Sequence, residues 1–189
     1  MYLFFDTETT GLPLKWKAPT SDVDNWPRVV QLAWVAYDSG GNKENSGDVL
    51  IKPEGFTIPV DASRIHGITT ERALAEGLPL ETALNEFSRA VDCATCLVAH
   101  NISFDTAVLG AEYIRATGSD PLSVKKAICT KEASTDFCAI PGNYGYKWPK
   151  LSELYRTLFG TDFEDSHNAR ADVEATARCF WELKKRGVV

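Results

Sequence analysis

Residues Phe4-Phe5-Asp6-Thr7-Glu8-Thr9-Thr10-Gly11 carry an apolar run into two carboxylates one residue apart. In a strand, positions i and i+2 share a face, so Asp6 and Glu8 present their oxygens side by side at the mouth of a buried sheet. Two ionised carboxylates held that close repel, and both stay charged only with a cation between them. A surface strand end carrying two solvated acids would read the same way. The rest of a cation site therefore has to be found elsewhere in the chain.

Composition sets the frame for that search. The chain has 189 residues, 44 % of them hydrophobic, and a net charge of −6. This is enough for one well-buried core and short for two, so a single domain over residues 1–189 is expected. The negative charge excludes a globally basic nucleic-acid coat but leaves room for a local basic groove. Lys15, Lys17, Lys125, Lys126, Lys131, Lys147 and Lys150 are available to form one. No stretch approaches the ~18 apolar residues of a membrane span, and the first residues read as a strand with early acids rather than a leader. A cytoplasmic protein without membrane association is expected. The five cysteines, Cys93, Cys96, Cys129, Cys138 and Cys179, suit a reducing compartment. Cys93 and Cys96 have a zinc-like spacing, but Cys129 and Cys138 supply no matching second pair. The two are expected to be small buried thiols entering a strand.

The pattern alternates strand and helix signals. A first strand is expected over residues 2–6 and a long apolar one over 29–37. The latter ends at the turn Ser39-Gly40-Gly41-Asn42, with an antiparallel return over 49–52. Between them an inserted loop at about 13–27, with Trp16, Trp26 and three prolines, is too long for an ordinary connection. It reads equally as a substrate-facing flap or a packed surface Ω-loop. Further on, a helical turn over 61–66 stops at Gly67, Thr69 or Thr70 caps a short helix through 75, and Leu80, Leu84, Phe87 and Val91 recur at helical spacing. A buried strand over 97–100, a helix to about 117, a strand over 127–129, and helices over 151–159 and 168–186 complete the chain. Hairpins first and strand–helix alternation later give a mixed α/β sheet.

Two further acidic positions fall at helix starts. His100-Asn101-Ile102-Ser103-Phe104-Asp105 places Asp105 in a first helical turn, where the dipole favours a carboxylate and capping alone would explain it. Ser166-His167-Asn168-Ala169-Arg170-Ala171-Asp172 sets a histidine five residues before an aspartate, with Asn168 suited to cap the helix. Five residues on one helix are ~140° apart, so His167 and Asp172 meet only if His167 precedes the helix.

Together these residues resemble the DEDDh 3′-to-5′ exonucleases, the DnaQ-like proofreading type on the RNase H-like fold. The first motif of that family matches Asp6-Thr7-Glu8-Thr9-Thr10-Gly11-Leu12, the second His100-Asn101 through Asp105, and the third His167 to Asp172. Ile65-His66-Gly67-Ile68-Thr69 is similar to a substrate-side segment of these enzymes. The resemblance covers nearly the whole chain. It implies a mixed five-stranded sheet flanked by helices, with Asp6, Glu8, Asp105, His167 and Asp172 as catalytic residues. It also implies two Mg²⁺ or Mn²⁺ ions, ~3.5–4 Å apart, held by Asp6, Glu8, Asp105 and Asp172. Asp6 would bridge them, Glu8 and Asp172 would complete the first, and Asp105 would hold the second largely through water. Hard carboxylate oxygens suit those ions rather than zinc.

His167 would take the proton of the attacking water, and nucleoside 5′-monophosphates would be released. Leu12 would wedge against the terminal bases, Thr9 and Thr10 would meet the 3′ end, and His66 and Asn101 would lie near the terminal nucleotide. The implied partner is nucleic acid with a free 3′ end, single-stranded DNA favoured over RNA, in proofreading or repair-like trimming, with an RNA-directed exoribonuclease of the same family as the alternative. A polymerase partner or a homodimer stays open, and no appended domain is recognised.

Two other classes compete. A haloacid-dehalogenase-type phosphatase also begins with an acidic pair after an apolar strand, but it needs a second Asp and a dedicated lysine where this chain has Glu8 and the His167/Asp172 pair. A noncatalytic nucleic-acid-binding module on the same fold would have little use for every ligand.

Overall fold

The computed structural model describes residues 1–164 and 167–189. Its strands are β1 (Tyr2–Thr9), β2 (Val29–Tyr37), β3 (Lys43–Leu50), β4 (Cys96–Ala99), β5 (Lys126–Cys129), β6 (Pro141–Gly142) and β7 (Gly145–Tyr146). The helices are α1 (Val60–His66), α2 (Thr70–Glu76), α3 (Leu80–Cys93), α4 (Ile102–Thr117), α5 (Thr130–Ala133), α6 (Thr135–Cys138), α7 (Leu151–Phe159) and α8 (Ala169–Lys185). The main sheet has the order β3-β2-β1-β4-β5, and β6 and β7 form a separate hairpin. β1, β2 and β3 pair antiparallel, whereas β1–β4 and β4–β5 pair parallel, the mixed five-stranded sheet expected from the sequence.

β2 is buried along nearly its whole length because both faces of the sheet are covered. On one side Leu3, Phe5, Leu32 and Trp34 pack with Leu84 and Phe87 of α3 and Val108 and Leu109 of α4. On the other, Phe4, Ala33 and Val35 meet Val173, Ala177 and Phe180 of α8. β1 therefore alternates between two helical layers, with Phe5 on the α3/α4 side and Phe4 on the α8 side. β3 starts six residues earlier than the 49–52 expected, because Lys43–Leu50 is a polar outer strand without apolar alternation. It is held by pairing rather than by burial, and Gly47 opposite Trp34 leaves room for the indole, which a Cβ would meet at 2.1 Å. β1 likewise runs three residues beyond the expected end.

The expectation for Cys93 is corrected. Cys96 is buried, but Cys93 is exposed, because it falls off the Leu80–Leu84–Phe87–Val91 stripe of α3. Two of the seven lysines offered for a basic groove lie away from the C-terminal ends of the parallel strands. Lys125 and Lys126 lie at the beginning of β5, and Lys125 Nζ donates to the Ala94 carbonyl, so both sit at the rim opposite the C-terminal ends of the parallel strands.

The 13–27 loop is packed. Lys15 N donates to Asn25 Oδ1 at 2.7 Å, Asn25 Nδ2 donates to the Lys15 carbonyl at 3.0 Å, and Trp26 Nε1 donates to the Pro19 carbonyl at 3.1 Å. Arg115 of α4 donates to the Val23 and Trp26 carbonyls. Gly110 of α4 lets Thr20 approach closely, since a Cβ there would lie 2.7 Å from the Thr20 methyl. Beneath this contact, Glu112 is fully buried. It accepts from Arg28 Nε at 2.8 Å and Val29 N at 3.0 Å, and Arg115 Nη1 lies 3.0 Å from its other oxygen. Among the described residues, no helix is long and apolar enough to cross a membrane.

Candidate active site

The C-terminal end of β1 builds the acidic centre. Asp6 and Glu8 follow Tyr2 and Phe4 on the face toward α8, and a register shift between Glu8 and Thr9 bends the strand end just there. Asp172 comes from the first turn of α8, whose N-cap Asn168 accepts from Arg170 N at 3.1 Å. Carboxylate oxygens of Asp6, Glu8 and Asp172 lie within 4.8 Å of one another. Three hard oxygen donors at that spacing fit one divalent cation.

Electrostatics says the same. Burial, then the charges of Asp105, Asp172 and Glu8, push the Asp6 carboxyl well above the usual range. Burial, then the charges of Asp172 and Asp105, push Glu8 up to about 8, and burial raises Asp172 to about 6. Without a positive charge the cluster would hold protons at neutral pH.

Asp105 occupies a different position. It is buried on α4, the opposite layer, where its Oδ1 accepts from Thr7 N at 3.2 Å and Thr7 Oγ1 at 2.8 Å. Burial raises its pKa to about 7, against the two Thr7 hydrogen bonds that lower it. It is absent from the three-carboxylate group, although its charge is the largest of those acting on Asp6. Thr7 is the unexpected member of the site. Its place between Asp6 and Glu8 is the available signal, since alternation turns it toward α4.

His167 precedes α8 with φ 70°, an uncommon conformation for a residue with a side chain. Its backbone N donates to Asp172 Oδ2 at 3.1 Å, and its ring is solvent-exposed. The left-handed residue takes the chain out of the helical path, which removes the angular conflict between positions five apart.

Beside the acids runs a groove of about 280 Å³, lined among others by Glu8, Thr9, Leu12, Ile65, His66 and Phe104. Leu12 is 70 % exposed at its lip. His66 is buried, and its Nδ1 accepts from Ile68 N at 3.1 Å, so the ring proton of the neutral form lies on Nε2. That Nε2–H has no partner in hydrogen-bonding geometry among the described residues, the nearby Thr9 carbonyl included. Thr10 and Asn101 do not line the groove. Thr10 Oγ1 accepts from Arg28 N at 3.0 Å, and Asn101 Oδ1 accepts from Lys131 Nζ. His100 behind Asn101 is held neutral, its pKa lowered to about 4 by burial. Its Nε2 donates to the Pro149 carbonyl at 3.0 Å, and its Nδ1 lies 3.0 Å from Thr130 Oγ1.

The family model described as Exonuclease, RNase T, matches residues 3–180. DNA polymerase III subunit epsilon of Treponema pallidum is 31 % identical over 176 residues, covering 93 % of this chain and 73 % of that protein. DNA polymerase III PolC-type of Lactococcus lactis is 29 % identical over 189 residues, and there the chain spans only 10 % of the relative's length. Among solved structures, E. coli Exonuclease I in complex with a dA16 oligonucleotide superposes with a TM-score of 0.75 at 22 % identity, over 98 % of this chain and 41 % of that one. The resemblance in fold extends to the RNase H-like mixed sheet. With a family match over nearly its whole length, this chain belongs to the RNase T exonuclease family, the DnaQ-like 3′-to-5′ exonucleases.

Proposed function

We propose that the protein is a 3′-to-5′ exonuclease that removes nucleoside 5′-monophosphates from single-stranded DNA, using Mg²⁺ or Mn²⁺. The observation that carries this reading is the convergence of Asp6, Glu8 and Asp172 beside a groove, with His167 set just outside the helix that bears Asp172. Two ions would be held by Asp6, Glu8 and Asp172 with Asp105, and when bound they supply charge for the attacking and departing oxygens of an in-line displacement. The chain's own residues do the remainder. Thr7 fixes the Asp105 carboxylate, and the His167 backbone N fixes that of Asp172. The exposed His167 imidazole accepts a proton from the attacking water.

The groove receives the terminal nucleotide. Leu12, Ile65 and Phe104 offer apolar surface to a base, a contact that tolerates any sequence. His66 lines the same groove and is proposed to contact the sugar or phosphate of the terminal nucleotide. Support for DNA rather than RNA comes from relatives named as DNA polymerase III subunits, and the biological role would be trimming or proofreading of 3′ ends. The test is a time course on 5′-labelled single-stranded DNA and RNA of one sequence, with Mg²⁺, with Mn²⁺ and with chelator. A ladder shortening from the 3′ end only in the presence of metal supports the reading, and the faster ladder assigns the sugar. Intact strands under all conditions, or full activity in chelator, refute it.

A further inference from the structure

Three aromatic rings stand in solvent on one short segment that no element of the active site uses. In Pro141–Gly142 and Gly145–Tyr146, β6 and β7 pair as a hairpin, extended by a bond from Lys147 N to the Ile140 carbonyl. Tyr144 at its tip is fully exposed, and Tyr146 and Trp148 are 55 % and 61 % exposed. Tyr146 and Trp148 are two apart on an extended arm, so they share a face. The hairpin is tied to the active-site rim at two points. His100 Nε2 donates to the Pro149 carbonyl, and Lys131 holds its ammonium 4.4 Å from the Trp148 ring centre while donating to Asn101. β4 pairs parallel with β1, and His100 directly follows its last residue, Ala99. β5 lies one strand further out. Through His100 and Lys131 the base of the hairpin is held at the C-terminal ends of β4 and β5, the first and second strands out from β1 on that side of the sheet.

Resting on the proposed function, we infer that Tyr144, Tyr146 and Trp148 form a stacking platform for the bases of a single strand several nucleotides on the 5′ side of the cleaved bond. The occupant follows from charge and shape. Residues 141–150 contain Lys147 and Lys150 and no acidic residue, and Lys131 borders Trp148. Lys147 is partly engaged by Glu153 at 2.6 Å. Lysines between exposed rings suit a polyanion with flat bases, which stack on aromatic side chains regardless of sequence. A protein partner would be better served by an uncharged apolar patch, whereas here the ammonium of Lys131 lies against the Trp148 ring.

The experiment uses the full chain and a Tyr144→Ser/Tyr146→Ser/Trp148→Ala variant, whose changes are all at exposed positions. Binding of fluorescent single strands of 3, 6 and 12 nucleotides is read by anisotropy in chelator, and hydrolysis of the same strands is read with Mg²⁺. The variant is expected to lose about tenfold or more in affinity for the 12-mer, the scale of a stacked base, and to raise KM for the 12-mer with kcat retained. The 3-mer is expected to be unaffected. As a second readout, 5-iodouracil placed three to six nucleotides from the 3′ end of a 12-mer should photocrosslink to this hairpin. Equal affinity of wild type and variant for the 12-mer, or crosslinks only elsewhere, overturns the platform. Platform-dependent binding without hydrolysis by the wild type would instead overturn the exonuclease reading and leave the platform standing.

Discussion

Replacing Glu112 by Ala tests whether the 13–27 loop and the end of β1 are held from beneath. Its carboxylate is almost completely inaccessible and takes hydrogen bonds from Arg28 Nε and Val29 N, with Arg115 against its second oxygen. Hydrogen bonds to a charged group are worth about 1.5–3 kcal/mol each, but a simple sum would overcount. The Arg28 and Arg115 side chains are 26 % and 18 % exposed and regain some water when the carboxylate is gone. Val29 N cannot do the same, being buried. Breaking a buried ion pair by removing one partner costs about 3–5 kcal/mol. At about 2–4 °C per kcal/mol for a chain of this size, Tm should fall by about 6–20 °C.

Glu112→Gln keeps an acceptor for Val29 N and should lose about half as much. The Arg28 carbonyl accepts from Thr10 N and Arg28 N donates to Thr10 Oγ1, so the Ala variant should also weaken substrate binding. The assay is thermal unfolding by circular dichroism beside KM on a single strand. A fall in Tm of less than about 3 °C for Glu112→Ala would refute the reasoning, since it corresponds to about 1 kcal/mol, the worth of a surface pair.

The acidic cluster should make stability depend on pH and metal together. Glu8 and Asp105 have pKa values raised to about 8 and about 7, against about 4 in an unfolded chain. In chelator the folded state thus binds more protons, so Tm should fall as pH rises from 6.5 to 8.5. Saturating Mg²⁺ should flatten that slope, and a Tm in chelator that rises over this range would contradict the cluster's electrostatics. Asp172→Asn removes one repelling charge, so it should raise Tm in chelator at pH 8, shrink the gain in Tm on adding Mg²⁺ and lower kcat by at least about 10²-fold. Retention of full kcat would remove Asp172 from the site. His100 contributes with the opposite sign at lower pH. Its folded pKa of about 4 lies below the ~6.5 of an unfolded histidine, so stability present above pH 6.5 drains away as pH falls toward 4, by at most about 3 kcal/mol. His100→Gln should abolish that part of the slope, measured as the difference in urea midpoints between the two proteins.

The helices and central strands were legible because their signals are local and strong. The 151–159 helix has the bounds expected, and α3 follows its Leu80–Leu84–Phe87–Val91 stripe. β3 was only half legible, since a polar strand is defined by its partner rather than by its own pattern. The short α5, α6 and β6–β7 elements carry no period long enough to recognise. At the site, alternation along β1 places Asp6 and Glu8 on one face, and Asn168 marks the helix that delivers Asp172. The separate seat of Asp105 was not legible, because it depends on which layer α4 joins and on the Thr7 hydroxyl meeting it across the strand. Glu112 looked like any helical glutamate until Arg28, 84 residues away, was brought against it.

The anchoring of the 13–27 loop has a thermodynamic consequence for whatever the protein receives. Leu14 and Trp16 at the loop's outer end are 82 % and 59 % exposed, and Trp16 rests 5.9 Å from the Phe104 ring that walls the groove. Because Asn25, Trp26 and Arg115 fix the stem, the entropy of ordering this apolar tip is spent during folding. A ligand entering the groove meets a preorganised wall, and the free energy of contact is left for binding rather than consumed in arranging the loop.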